Sequence, residues 1–227
     1  MSEVLRVENL QARYGRAQAL WDIHLNLQEG DGLGLIGHNG AGKSTLLRCI
    51  AGVHRMGMSG SVRFGDDEVR GQSSFRISRK GLSFVREGAP VFGDMTVLEN
   101  LMLGVAQARR RGTTARTLSS VWGIFPALEA MTTRRAGLLS GGQRQMLATA
   151  TALLSNPTLL LLDEPSAGLA PEAAENCFEA ITRLRKEGLS LLIAEQNAEW
   201  LDRVTTHSIE IESGRMITGS TTEPKIP

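Results

Sequence analysis

Gly37-His38-Asn39-Gly40-Ala41-Gly42-Lys43-Ser44-Thr45 decides how this chain is read. A short apolar run, residues 32–36, leads into it, and a helix-like run, residues 44–51, follows. Strand, GxxxxGK[ST], helix is the pattern of a P-loop. The residue types follow from the chemistry. Glycines at 37, 40 and 42 let the backbone turn tightly and aim several N–H groups inward, forming a nest for phosphate oxygens. The positive end of the helix behind them adds to the attraction. His38, Asn39, Ala41 and Thr45 complete the candidate nucleotide cradle. Lys43 reaches for β- and γ-phosphates, and the Ser44 hydroxyl is a candidate ligand of Mg²⁺. A chance glycine-rich turn is the competing reading, and the flanking strand and helix patterns argue against it.

Working outward, residues 160–164 (Leu-Leu-Leu-Asp-Glu) form an apolar run that ends in two acids. A run apolar on both faces fits a central parallel strand, whose carboxyl end is where such sheets bind ligands. Asp163 is placed to hold Mg²⁺, and Glu164 to polarise a water for attack on a γ-phosphate. Acids are common at strand ends, so the pair gains its meaning from following a P-loop in the same chain. Leu139-Ser140-Gly141-Gly142-Gln143 precedes a periodic helix at 141–154 and offers a second anion-binding helix start. An ordinary serine cap with flexible glycines would look the same. A second cradle in a chain that already has one makes most sense if it faces the nucleotide of another copy.

The rest of the chain frames these motifs. Residues 3–9 and 19–27 alternate as half-buried strands do, with a turn expected at 12–16 between them. Residues 60–64, 81–85, 189–194 and 207–211 read as further strands. Thr96-Val97-Leu98-Glu99 is a capping-box pattern opening a helix to about Arg111. A second helix is expected to about Phe125 and to stop at Pro126. Residues 94–138 therefore read as a helical insertion, and 218–227 as a polar tail. Residues 171–187 read as a helix with proline in its first turn.

Composition sets outer bounds. At 227 residues, 41% hydrophobic and 22% charged, the chain fits one large α/β domain. A net charge of +1 gives no global field toward nucleic acid or anionic membrane, and no nucleic-acid partner is expected. Arg109-Arg110-Arg111 reads as a solvated helix end rather than a phosphate-binding patch. Two cysteines, Cys49 and Cys177, exclude a disulfide framework and fit a reducing cytoplasm. With neither a signal-peptide pattern nor an apolar run of about 20 residues, any membrane role is expected to come through a partner.

P-loop, Leu-Ser-Gly-Gly-Gln and the Asp163-Glu164 strand, in this order and spacing, resemble an ABC-transporter ATPase subunit over about residues 3–217. The resemblance implies a RecA-like core, an N-terminal antiparallel β subdomain and an α-helical subdomain. It implies a head-to-tail dimer, with ATP between residues 37–45 of one copy and Ser140, Gly141, Gly142 and Gln143 of the other. Tyr14 matches the aromatic that stacks on adenine; packing in a β-turn is the alternative.

Two positions depart from the usual family pattern. Glu87 stands where a glutamine commonly senses Mg²⁺ and the attacking water. Gln196 stands where a histidine commonly contacts the γ-phosphate. An amide still hydrogen-bonds phosphate and water but cannot become cationic. Glu87-Gly88, residues 165–171 and Glu195-Gln196-Asn197 are similar to the second ATPase of branched-chain amino acid importers, a branch shared with urea and short-chain amide importers.

That branch implies a second ATPase subunit, membrane permeases and an extracytoplasmic solute-binding protein as partners. It implies peripheral attachment at the cytoplasmic face of the membrane, with residues 87–96 receiving a permease helix. A soluble, non-transport ABC ATPase is the alternative; it is disfavoured by a single cassette without sustained heptads. A small-molecule P-loop kinase would leave residues 139–143 without a role.

Overall fold

The computed structural model describes residues 2–88 and 90–217. The N-terminal alternation folds as an antiparallel pair, β1 (Glu3–Tyr14) and β2 (Ala17–Gln28). The expected turn at 12–16 is narrower, because Arg13 and Tyr14 still pair with Gln18 and Ala17, leaving only Gly15 and Arg16 to reverse the chain. The next strands are β3 (Gly32–Ile36), β4 (Met58–Phe64) and β5 (Asp67–Glu68). A four-stranded antiparallel sheet results, in the order β2-β1-β4-β5.

The larger sheet holds β3 with β6 (Leu82–Val85), β7 (Leu159–Asp163), β8 (Ser190–Glu195), β9 (His207–Glu212) and β10 (Arg215–Met216). Its order is β10-β9-β3-β8-β7-β6, parallel except for β10. Strands adjacent here come from distant parts of the chain: Gly32 faces Leu191, Leu33 faces His207, and Asp163 faces Ala194. The register brings the carboxyl ends of β3, β8 and β7 side by side, which is where an open parallel sheet binds ligands.

Burial on both faces explains the composition of β7 and β8. Leu159 and Leu161 pack toward the antiparallel sheet, while Leu160 and Leu162 pack into a second core on the opposite side. Leu192 and Ala194 follow the first pair, Leu191 and Ile193 the second. Alternation is thus present in direction even though polarity does not alternate. Helix α1 (Lys43–Ile50) lies in the first core through Leu46, Leu47 and Ile50. A short helix, α2 (Ser74–Ser78), which had no sequence signal, precedes β6.

Between β6 and β7 the regular elements are helical: α3 (Val97–Arg111), α4 (Leu118–Ile124), α5 (Pro126–Glu129), a 3₁₀ turn (Ala136–Leu138) and α6 (Gly141–Leu154). The expected capping box forms at α3, Thr96 with Glu99, and a second one, not read from the sequence, forms at α6, Ser140 with Gln143. Pro126 does end α4, but it also starts α5, because a missing N–H is harmless at a first helical position. Helix α7 (Pro171–Lys186) and α8 (Ala198–Val204) pack on the second core. Helix α8 was not foreseen; the Asn197 side chain accepts the Glu199 N–H to start it.

Arg111 is not simply solvated, since its Nη1 donates to the carbonyls of Ser155 and Asn156 after α6, at 3.0 and 3.2 Å. Cys49 and Cys177 are free and buried, and burial pushes each thiol up to about 12. Such thiols are inert. Residues 218–227, expected as a tail, lie outside the described residues.

Helices α3 and α6 meet closely because residue 104 is glycine. A Cβ there would stand 2.1 Å from the Thr151 carbonyl oxygen and 2.9 Å from the Leu154 Cβ. Gly104→Ala should therefore force the helices apart and cost about 2 kcal/mol despite its better helix propensity. Thermal unfolding should show a Tm lower by about 4–8 °C for a chain of this size. An unchanged Tm would mean that this contact yields freely.

Candidate nucleotide site

Strand β3 ends at Ile36, and the chain turns through residues 37–42 into α1. Gly42 occupies the cap position with φ 113°, a backbone conformation closed to other residues, and no side chain caps the helix. The first N–H groups of α1 are therefore left for a ligand. A cleft of about 580 Å³ opens here, lined by His38, Asn39, Gly40, Ala41, Gly42, Lys43, Ser44, Thr45, Glu87 and Glu164, with Gln18, Ala19, Arg48, Ser213 and Gly214.

Lys43 lies across the floor of the cleft, with only 3% of its surface exposed. Its ammonium donates to the Gly37 carbonyl at 2.6 Å and the His38 carbonyl at 3.3 Å, and pairs with Glu164 Oε1 at 3.2 Å. Glu164 is 7% exposed, and its other oxygen accepts the Gln196 amide at 2.9 Å. The same Gln196 Nε2 donates to Asn39 Oδ1 at 2.8 Å. One carboxylate thus joins the P-loop to the end of β8. Glu164 holds φ 46°, unusual for a residue with a side chain, and its N–H is fixed on the Ala194 carbonyl at 2.9 Å.

Asp163, the last residue of β7, is fully buried. The Ser44 hydroxyl donates to its Oδ1 at 2.8 Å, whereas Oδ2 is buried with no partner. Burial pushes this carboxyl above the usual range, and the nearby charges of Glu164 and Glu87 push the same way, against the Ser44 hydrogen bond and Arg48. The unpartnered Oδ2 is a free ligand position, and a divalent cation beside Ser44 would satisfy it. Ser44 and Asp163 therefore fit the hard oxygen-ligand chemistry of Mg²⁺.

Ser140, Gly141, Gly142 and Gln143 do not line this cleft. Ser140 and Gly141 are exposed, and none of the four is packed into the interior. The Ser140 hydroxyl accepts the Gln143 N–H at 3.2 Å, and the Gln143 side chain accepts the Ser140 N–H at 3.0 Å. Tyr14 also lies outside the cleft lining; it is 47% exposed, and its ring centroid is 4.4 Å from that of His54.

Sequence reasoning gave no role to His54, to Arg48 or to Glu195. Glu195 is 2% exposed, and burial raises its pKa against the opposing hydrogen bonds from the Ser166 and Gln196 N–H groups. A charged residue closing the apolar run of β8 was the available signal.

A parallel sheet carrying a P-loop on one strand end and two buried acids on another defines a P-loop nucleoside triphosphatase. Comparison narrows the class. The family model for the ABC transporter domain matches residues 20–167. The chain is 40% identical over 98% of its length to the high-affinity branched-chain amino acid transport ATP-binding protein BraG of Pseudomonas aeruginosa, covering 97% of that protein. It is 34% identical over 94% of its length to the probable branched-chain amino acid transport ATP-binding protein LivF of Archaeoglobus fulgidus, covering 90% of it. Among solved structures, a nucleotide-free ATP-binding cassette from an ABC transporter superposes with a TM-score of 0.80 at 28% identity, over 97% of this chain and 92% of that one. The chain belongs to the ATP-binding subunits of ABC transporters and is an ATPase of that family.

The Lys43–Glu164 pair is buried on both sides, so removing the lysine strands a carboxylate. Lys43→Ala should destabilise the nucleotide-free protein by about 3 kcal/mol in chemical denaturation. Adding Glu164→Gln to that variant should recover most of the loss. Equal losses in the single and double variants would show that the pair is not what holds the lysine.

Proposed function

We propose that this chain is the energy-coupling ATPase of an importer for branched-chain amino acids, with Mg²⁺·ATP as its nucleotide. The observation that carries the catalytic part is Glu164: buried, held by Lys43 and Gln196, and fixed at the mouth of a P-loop. In this reading the N–H groups of residues 37–45 and the Lys43 ammonium take the phosphate oxygens. Ser44 and Asp163 would hold the metal ion, whose chemistry when bound is to neutralise charge on the phosphates. As Lys43 turns toward phosphate, Glu164 is released to accept a proton from the attacking water. Gln196 and Glu87 orient that water and the terminal phosphate through neutral and anionic oxygen or amide contacts. Tyr14 stacks on the adenine, with His54 behind it.

The exposed start of α6 supports a head-to-tail pair of ATPase subunits, in which Ser140, Gly141, Gly142 and Gln143 meet the nucleotide held by the partner. Electrostatic positioning from both sides then supplies most of the chemistry.

No helix among the described residues is long and apolar enough to cross a membrane. Attachment at the cytoplasmic face would come through permeases. A groove of about 620 Å³ lies beside residues 90–92, lined by Phe75, Arg86, Phe92 and Leu103 among others, and suits an amphipathic permease helix. Asn100, itself buried, braces this edge by bonding both the N–H and the carbonyl of Phe92, at 2.9 and 3.0 Å. The likeness to BraG along nearly its whole length supports branched-chain amino acids as cargo, delivered by an extracytoplasmic solute-binding protein.

In the assembled transporter, Glu164→Gln should lower ATP turnover by at least about 100-fold while nucleotide still binds. Wild-type turnover in that variant would refute the assignment of Glu164. Leucine-loaded binding protein should stimulate the wild-type ATPase; stimulation by urea-loaded protein instead would reassign the cargo.

A further inference from the structure

We infer that Glu195 is a positioning residue for hydrolysis, one carboxylate that fixes the loop of residues 165–170 relative to Gln196. Its two oxygens go to two different segments. Oε1 accepts the Ser166 N–H at 2.9 Å, and Oε2 accepts the Gln196 N–H at 3.2 Å. The side chain is 2% exposed, so water cannot replace either bond. A buried acid is an expensive way to join two loops when an apolar residue could fill the space. Its geometry is useful because each connected segment leads to a functional surface.

On one side, Gln196 reaches Asn39 of the P-loop and the free oxygen of Glu164. On the other, residues 165–170 turn tightly, with Leu169 N–H on the Ser166 carbonyl at 3.1 Å. They then lie against the start of α6. A Cβ on Gly141 would meet the Gly168 carbonyl oxygen at 3.8 Å, and one on Gly142 would meet the Leu169 side chain at 3.6 Å. The same carboxylate therefore sets the height of the Gln196 amide in the cleft and the seat of Gly141 and Gly142 on the outer face. Sub-ångström placement matters to phosphoryl transfer, where positioning is most of the catalysis.

Glu195→Gln keeps the shape but offers one acceptor oxygen and turns an NH₂ toward the other N–H group. The inference rests on the hydrolytic reading of the cleft, so Glu164→Gln is measured beside it in the assembled transporter. In Glu195→Gln, kcat should fall about 10–100-fold. The Kd for a non-hydrolysable ATP analogue should stay within about twofold, because the loss is confined to the transition state. Combining Glu195→Gln with Gln196→Ala should leave the rate at that of the slower single variant, since one residue acts through the other.

Wild-type kcat in Glu195→Gln, beside an inactive Glu164→Gln, overturns this inference alone. Wild-type turnover in Glu164→Gln overturns the reading beneath it. Effects that multiply in the double variant, or a kcat loss matched by losses in Kd and Tm, show a structural role only and also overturn it. Should Glu195→Gln not fold, Glu195→Asp replaces it, keeping the charge while drawing the oxygens back from Ser166.

Discussion

The ammonium of Lys43 is the fixed point of this molecule. It sits out of water, so its charge must be met by protein atoms, and three converge on it: two P-loop carbonyls and one oxygen of Glu164. Those atoms come from segments more than 120 positions apart, and only the parallel pairing of β3, β8 and β7 brings them together. The two cores, one on each face of that sheet, hold the register. Shifting β7 by one position would exchange Leu159 and Leu161 with Leu160 and Leu162 and carry Asp163 away from Ser44.

Much of this arrangement was legible in residue order. The P-loop is local: its glycine spacing, its lysine and its following helix are contiguous, so pattern and geometry coincide. The capping box at α3 is equally local, and it formed where Thr96 and Glu99 announced it. Ser44 and Asp163 were paired by chemistry alone, and a hydrogen bond of 2.8 Å joins them.

What escaped the sequence depends on distant contacts. Nothing near Gln196 in sequence says that its amide will bridge Asn39 and Glu164. The apolar run before Glu195 hints at burial, but nothing near it says that its carboxylate will accept the Ser166 N–H. Proline at 126 misleads because its effect depends on whether the chain around it resumes a helix. The pairing of Tyr14 and Ala17 hides in a stretch of turn-forming residues that tertiary pairing keeps extended. Helix α8 is only two turns long and carries a periodicity too short to read.

The start of α6 carries one more consequence. Ser140 spends a lone pair on the Gln143 N–H, and its own N–H is taken by the Gln143 side chain. Its hydroxyl donates no hydrogen bond among the described residues, and the residue is exposed. The residue can thus give a proton-bearing contact to an incoming oxygen while its helix stays fully wound. Ligand capture at this surface need not compete with folding: the helix end is already secured, and what it extends outward is surplus.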